Sequence, residues 1–230
     1  IRDYKGEQIS GYANLIYQQE VGKHHEENYY KAGLSFQYDN ISESLYSQEP
    51  LFSMNGDYQW QELVPGAFVE FTHADEKVGL VAGIRGDYNS IYGSFITPRL
   101  HFRYNFSNES VIKLMAGSGR RTPMLIMENV GFLATSRNWI LDVPESDLPG
   151  YGLDQEISWN FGTAFLQEFT LNYKEGSIHL DYYHTRFQNQ LVVDLDQSAR
   201  EVWFYNLDGE SVSNSFQAEL NYELLKRLTI

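Results

Sequence analysis

From residue 30 to residue 39 the side chains divide by parity. Tyr30, Ala32, Leu34, Phe36 and Tyr38 fall on one side, and Lys31, Gly33, Ser35, Gln37 and Asp39 on the other. The division returns in Ala67, Val69, Phe71 against Glu70, Thr72, and in Leu80, Ala82, Ile84 against Arg85, Asp87. It recurs in Leu100, Phe102, Tyr104 against Arg99, His101, Arg103, and in Ile178, Leu180, Tyr182 against His179, Asp181. The last instance sets Phe216, Ala218, Leu220, Tyr222 against Gln217, Glu219, Asn221, Glu223. A period of two puts successive side chains on opposite faces of a strand. Held over roughly ten residues, with charges on the second face, it is the pattern of a strand between lipid and a polar lumen. Strands are predicted at 9–20, 29–41, 64–74, 77–88, 95–106, 110–119, 157–173, 177–189 and 212–224. A further strand is expected to begin after Lys226 and Arg227. The fold class is therefore all-β: an antiparallel meander of about nine to ten strands forming part of a transmembrane β-barrel.

The connectors alternate in length. Val21 to Asn28, His73 to Glu76, Ser107 to Glu109 and Lys174 to Gly176 are tight turns, whereas 42–63, 120–156 and 190–211 are long and 89–94 is brief. Outer-membrane barrels place short turns in the periplasm and long loops outside the cell. The rival architecture is a soluble β-sandwich, a carbohydrate-binding or glycan-active module, with Leu100, Phe102, Tyr104 and Phe216, Ala218, Leu220 as a shared core. A passive porin or adhesin barrel is a second rival. No repeat of propeller-blade length occurs.

Composition narrows the choice. Seventeen Tyr and fourteen Phe suit pleated surfaces and interfacial girdles, and no run approaches the ~20 apolar residues of a membrane helix. The formal charge of −14 argues against nucleic acid as a partner, and the absence of Cys removes disulfides and thiolate metal sites. The sequence opens at Ile1 without a signal segment and closes in what reads as a starting strand, so a partial barrel cut at both ends is expected.

Particular segments carry a resemblance. The run TPRLHFRYNFSNESVIKLMAGSGRRTP begins at residue 97 and is followed by MENVGFLATSRNW at 127–139. Pro98, Arg99, Gly117, Gly119, Arg120 and Pro123 stand where TonB-dependent outer-membrane receptors carry a Pro-Arg strand, a short turn, and a Gly- and Arg-bearing strand end before a long outer loop. GIRGDY at 83–88, the strand pair 161–187 with FQNQLVVDLD, and YNLDGESVSNSFQAELNYELLKRL at 205–228 follow in matching order. The chain thus resembles the barrel of the siderophore and cobalamin branch of that family, most clearly from about residue 64 onward. The resemblance implies an outer-membrane location, outer loops that capture a metal chelate or corrinoid, and energy delivered by the TonB complex through a plug domain. It allows for a surface lipoprotein as a further partner. Residues 1–230 would be part of a wall of about 22 strands, with the plug and the closing strands absent from this stretch.

Candidate chemistry is that of binding, with neither catalysis nor a cofactor expected. Arg99, His101 and Arg103 share one strand face and form a lumen-facing basic stripe, either paired with carboxylates of neighbouring strands or of a plug domain, or lining an anion path. In the loops, Met124, Met127, Trp139, Tyr151, Trp203 and Tyr205 are candidate ligand contacts, because aromatics and Met suit an apolar chelate; packing of the loops on themselves is the competing role. His24 and His25 sit in a turn, and His179 and His184 fall on opposite strand faces, which excludes joint metal ligation within one strand. Asp194 and Asp196 share a face, but nothing assembles a sugar site around them.

Overall fold

The computed structural model describes residues 2–22, 27–49, 52–144, 148–225 and 228–229. His24 and His25, and the Lys226–Arg227 pair expected to precede a strand, lie outside them. Ten strands form one antiparallel sheet. In chain order they are β1 (Arg2–Glu20), β2 (Glu27–Ser47), β3 (Gly56–Ala74), β4 (Val78–Asn89), β5 (Gly93–Asn105) and β6 (Ser110–Arg121). A short helix α1 (Leu125–Glu128) and β7 (Asn138–Leu141) follow, then β8 (Glu156–Leu171), β9 (Lys174–Gln188), β10 (Leu191–Asp194), β11 (Glu201–Asn206), β12 (Glu210–Leu225) and β13 (Leu228–Thr229). Every strand of the main sheet pairs with its successor, except that β7, β10 and β11 leave it to form a separate three-stranded sheet in which β7 runs parallel to β11.

One face of the main sheet is concave. A single depression of about 590 Å³ is lined by residues of all six strands from β1 to β6, including Gln8, Asp39, Glu62, Arg85 and Phe95. The sheet must curve toward the face that holds them. The opposite face keeps the apolar parity of the sequence, and nothing among the described residues covers it: Leu34 is 60% and Leu220 61% exposed. A sandwich would bury these side chains between layers. Exposed apolar residues on a convex sheet are instead what a barrel presents to hydrocarbon. Aromatic pairs mark its lower border. Tyr30 lies 4.9 Å from Phe71, Tyr104 meets Phe106 edge-on at 4.9 Å, and Phe169 stacks on Tyr222, all near the short-turn ends.

The short turns have local causes. Asn172 and Tyr173 both take positive φ (54° and 59°), the two-residue geometry that follows the strands' own twist, so the β8–β9 turn is tighter than the spacing predicts and begins two residues earlier. In the β3–β4 turn the Asp75 carboxylate accepts the backbone N–H groups of Lys77 (2.7 Å) and Val78 (2.6 Å). The Val78 N–H, then that of Lys77, holds the carboxyl below the ordinary carboxylate value. A depressed folded-state value means that this contribution is full above the ordinary value and is lost as pH falls through the lower one. Protection of the Val78 amide from hydrogen exchange is expected to hold at pH 5 and to decline from about pH 4 downward. Asp75→Asn should abolish that dependence.

The long connectors differ most from the sequence reading. The predicted loop 42–63 is largely strand, since β2 continues to Ser47 and β3 begins at Gly56. Likewise 190–211 holds β10, β11 and the start of β12, and 89–94 closes as a hairpin whose ends pair Asn89 with Gly93. Asn89 Oδ1 accepts the N–H groups of Ile91 (2.8 Å) and Tyr92 (3.2 Å), and Gly93 supplies the positive φ of 80° that returns the chain to the ladder. The hidden extensions have a shared reason. On β2 the inward positions after Asp39 are Ile41, Glu43 and Leu45, and across the ladder from Ile41 stands Trp60. Ile41, Leu45 and Trp60 are buried with Phe52, Leu125, Ile126, Trp139, Leu153, Val202 and Phe204. The dry core therefore lies at the outer end, where folded loop segments cover the inward face of β2 and β3.

Candidate functional site

The depression sits below that outer layer, and its polar wall is built from the alternation itself. Asp39, Glu62 and Asp87 occupy inward positions of β2, β3 and β4 and are buried. Asp39 and Glu62 are directly opposed in the ladder, an arrangement that is destabilising for like charges unless each has its own donors. Each has them. Asp39 accepts from Ser10 Oγ (2.5 Å), Gln37 Nε2 (2.7 Å) and Gln8 Nε2 (3.2 Å). Glu62 accepts from Thr122 Oγ1 at 2.8 Å and from the Asn89 amide. Asp87 is held by Arg85, whose Nε reaches Oδ2 at 2.8 Å and whose Nη2 reaches Oδ1 at 2.6 Å while also donating to Ser35 Oγ at 2.5 Å. Gly66 makes this possible, because a Cβ there would stand 2.0 Å from Asp87 Oδ1.

The rim of the site opens between β5 and β6. Their ladder runs only from Asn105–Val111 to Arg99–Gly117, while β6 continues beside β8 to Arg121–Glu156. In that gap the Arg120 guanidinium lies 4.7 Å from the centre of the Phe95 ring and 3.5 Å from Gln155 Oε1. Just above, Arg121 ties β6 to the outer layer through Glu128 (2.7 Å) and to β8 through Glu156 (2.5 Å). Burial raises the Glu128 carboxyl from its ordinary value, an effect that the Arg121 charge opposes. The chemistry on offer is hydrogen bonding and charge. Among the described residues no group of His, Asp and Glu side chains could hold a metal ion.

The outer layer is anchored by one buried carboxylate. Glu43 accepts hydrogen bonds from Tyr4 Oη (2.8 Å) and from the Tyr151 phenol, joining β1, β2 and the turn at Pro149–Gly152. Burial, and then the Glu43 carboxylate, push both phenols up from their ordinary value, so they stay protonated donors. Tyr151 holds a positive φ of 63°, uncommon for a bulky residue, and is pinned there by Trp60 and Tyr58 at ring distances of 4.9 and 5.2 Å. Tyr151→Phe leaves one carboxylate oxygen without its donor and is expected to cost the outer layer about 1.5–3 kcal/mol. Chemical denaturation followed by a fluorophore on 120–156 would measure it.

The sequence-derived candidates separate accordingly. Trp139 (0% exposed) and Tyr151 (1%) are core residues and offer no surface to a ligand, so packing is their role. Met124 lines the depression. Met127 is 36% exposed on α1 and faces away from the core. Trp203 and Tyr205 sit on the face of β11 opposite Val202 and Phe204, with Trp203 Nε1 donating to Glu201 and Tyr205 Oη to Asp194. Arg99, His101 and Arg103 share the inward face but find no carboxylate among the described residues; Arg99 donates to His101 Nε2 (3.2 Å) and Arg103 to the Asp75 carbonyl (3.0 Å). The residues the sequence did not single out are Gln8, Gln37, Asp39, Glu62 and Asn89. Parity placed Asp39 on the wet face, but only the curvature of the sheet gathers it with the others.

An apolar convex sheet around a polar concavity defines a class of wall, and the family is decided by comparison. The family described as TonB dependent receptor-like, beta-barrel matches residues 2–229. The chain belongs to that family. Its home is the bacterial outer membrane, and the family consists of transport receptors rather than enzymes. Solved structures agree in fold. The siderophore receptor PirA from Pseudomonas aeruginosa aligns over 99% of this chain and 39% of its own, with 17% identity and a TM-score of 0.60. The Serratia marcescens hemophore receptor HasR, solved with its hemophore HasA and heme, aligns over 96% and 40%, with 13% identity and a TM-score of 0.64. The ferric enterobactin receptor PfeA from Pseudomonas aeruginosa, in complex with enterobactin, aligns over 98% and 35%, with 14% identity and a TM-score of 0.65. The chain thus spans about two fifths or less of these receptors. No curated protein sequence matches it.

Proposed function

We propose that this TonB-dependent receptor wall serves import of a bulky, scarce nutrient, a ferric siderophore or a cobalamin-like chelate, powered through TonB. The observation that carries the reading is the polar depression shared by six strands beneath a folded outer layer, because it offers a solute a hydrogen-bonding surface inside a lipid-facing wall. The wall's part is binding and guidance: Arg120 over Phe95, Met124 and the Asp39–Glu62–Asp87 network bound the depression, while energy comes from the TonB complex acting on a plug domain. Met127, which is exposed, and Trp203 and Tyr205, which are half-buried, would meet the ligand first or seat a surface lipoprotein. The neighbours' own ligands, enterobactin and a heme-loaded hemophore, indicate the kind of cargo to try. A strain lacking the gene should lose growth on one member of a panel of ferric siderophores, heme and cobalamin. Growth should return with the full-length gene and fail again when tonB is deleted. Equal growth of the deletion strain on every member would refute the import reading.

A further inference from the structure

Both strands at the β5–β6 seam outlast their pairing. β5 starts at Gly93 and β6 runs to Arg121, yet the ladder between them ends at the pair Arg99–Gly117. Pro98 supplies the local cause. Its carbonyl oxygen lies 3.4 Å from where a Cβ on Gly117 would stand, so this residue turns its backbone polar groups toward β6. Proline has no N–H, and the next bond of that ladder therefore lacks its donor. Beyond that point each strand keeps the partner on its other side, β5 pairing with β4 as far as Asn89–Gly93 and β6 with β8 as far as Arg121–Glu156.

Two depressions of opposite character meet at this seam. On the lipid-facing side a shallow groove of about 890 Å³ is lined by Ala67, Gly86, Tyr88 and Ile96. Its floor is bare at Gly86, where a Cβ would meet no atom within 4 Å. On the inner side lies the polar depression, and Asp87, Phe95 and Arg120 border both. Arg120 has the parity of Leu114 and Ala116, which face lipid, yet its guanidinium reaches the inward Phe95 ring and Gln155. Its side chain thus crosses the gap, and a passage that holds the methylene stem of an arginine has the cross-section an alkyl chain needs. Arg120 is exposed, and exposed side chains change rotamer within nanoseconds, so it can give way to such a chain.

We propose that the β5–β6 seam is a lateral port for the acyl tail of an amphiphilic cargo, whose polar head rests in the inner depression while the tail passes Arg120 into the outer groove. Each part then meets the surface that suits it, hydrogen-bonding groups inside and apolar side chains toward hydrocarbon. The port rests on the import reading, to which it adds the class of cargo.

The test uses the full-length receptor in lipid nanodiscs, with iron-loaded dodecanohydroxamic acid carrying a diazirine at the end of its chain as the probe. After irradiation, label should concentrate at Tyr88 and Ile96 and saturate with probe concentration. A dodecyl diazirine without the head should instead label the convex face evenly, Leu34 and Leu220 as much as Ile96. Pro98→Val supplies the missing donor, so hydrogen exchange of the Arg120 amide should slow and label at Tyr88 and Ile96 should fall about five-fold or more. Should that variant fail to assemble or leave the amide fast, Gly86→Leu decides, since it fills the groove from the lipid side without a clash and should lower the label equally. Even labelling by the headed probe overturns the port. So does unchanged label in Gly86→Leu, or in a Pro98→Val receptor whose Arg120 amide is protected. A receptor that restores growth on a nutrient of the panel and still labels evenly overturns the port alone, because labelling does not depend on TonB.

Discussion

Trp139→Ala is expected to unfasten the outer layer while leaving the membrane wall intact. The indole is fully buried, 5.0 Å from the Phe204 ring and 6.3 Å from that of Phe52, and the backbone carbonyl of the same residue accepts from Ser53 Oγ at 2.5 Å. It thus joins β7, β11 and the β2–β3 connector, three segments distant in sequence. Truncating a buried Trp costs about 3–5 kcal/mol through lost transfer energy and the cavity left behind. A layer this small has little stability to spare, so the loss should appear as local opening. Limited proteolysis should then cut within 120–156 and 190–206, while the wall keeps its heat-modifiable migration in gels. Uncut loops in the variant would show that the core carries less of the layer's stability than its burial indicates.

Leu34→Arg attacks the other solvent. Leu34 stands midway along the membrane portion of β2, between Leu15 and Ala67, on the face away from the depression. If that face meets hydrocarbon, a guanidinium near the bilayer midplane costs about 2–4 kcal/mol. The full-length receptor should then reach the outer membrane at clearly reduced levels, measured by immunoblot of membrane fractions. Asn14→Arg, exposed on the inward face of β1 across the ladder from Ser35, is the control and should assemble at a higher level. Equal levels for both would reverse the assignment of faces.

Much of the wall was legible beforehand because its two solvents differ. Where lipid lies on one side and water on the other, parity alone separates Leu34 from Ser35 and Phe102 from Arg103, and the strands and turns follow from it, although β1 begins seven residues before the expected start at residue 9. The reading stopped at residues 42–63, where β2 and β3 in fact continue. There Ile41, Leu45 and Trp60 point inward at protein rather than water, so the wet side becomes apolar and the alternation no longer shows. Residues 120–156 are ambiguous between packing and ligand contact for a related reason. A Trp or Tyr in an outer loop is chemically suited both to a ligand and to a core, and its sequence neighbours do not say which it meets.

By itself, then, the sequence determined the strands, the two faces and the class of membrane wall, because a period of two is a local consequence of backbone geometry and needs no knowledge of distant partners. The tertiary structure decided which carboxylates share a site, which loop aromatics are core, and which cations meet no carboxylate among the described residues. Those depend on curvature and on register between strands far apart in the chain. Asp39 and Glu62 are neighbours only because β2 and β3 pair at that register, and Arg103 faces Lys113 for the same reason.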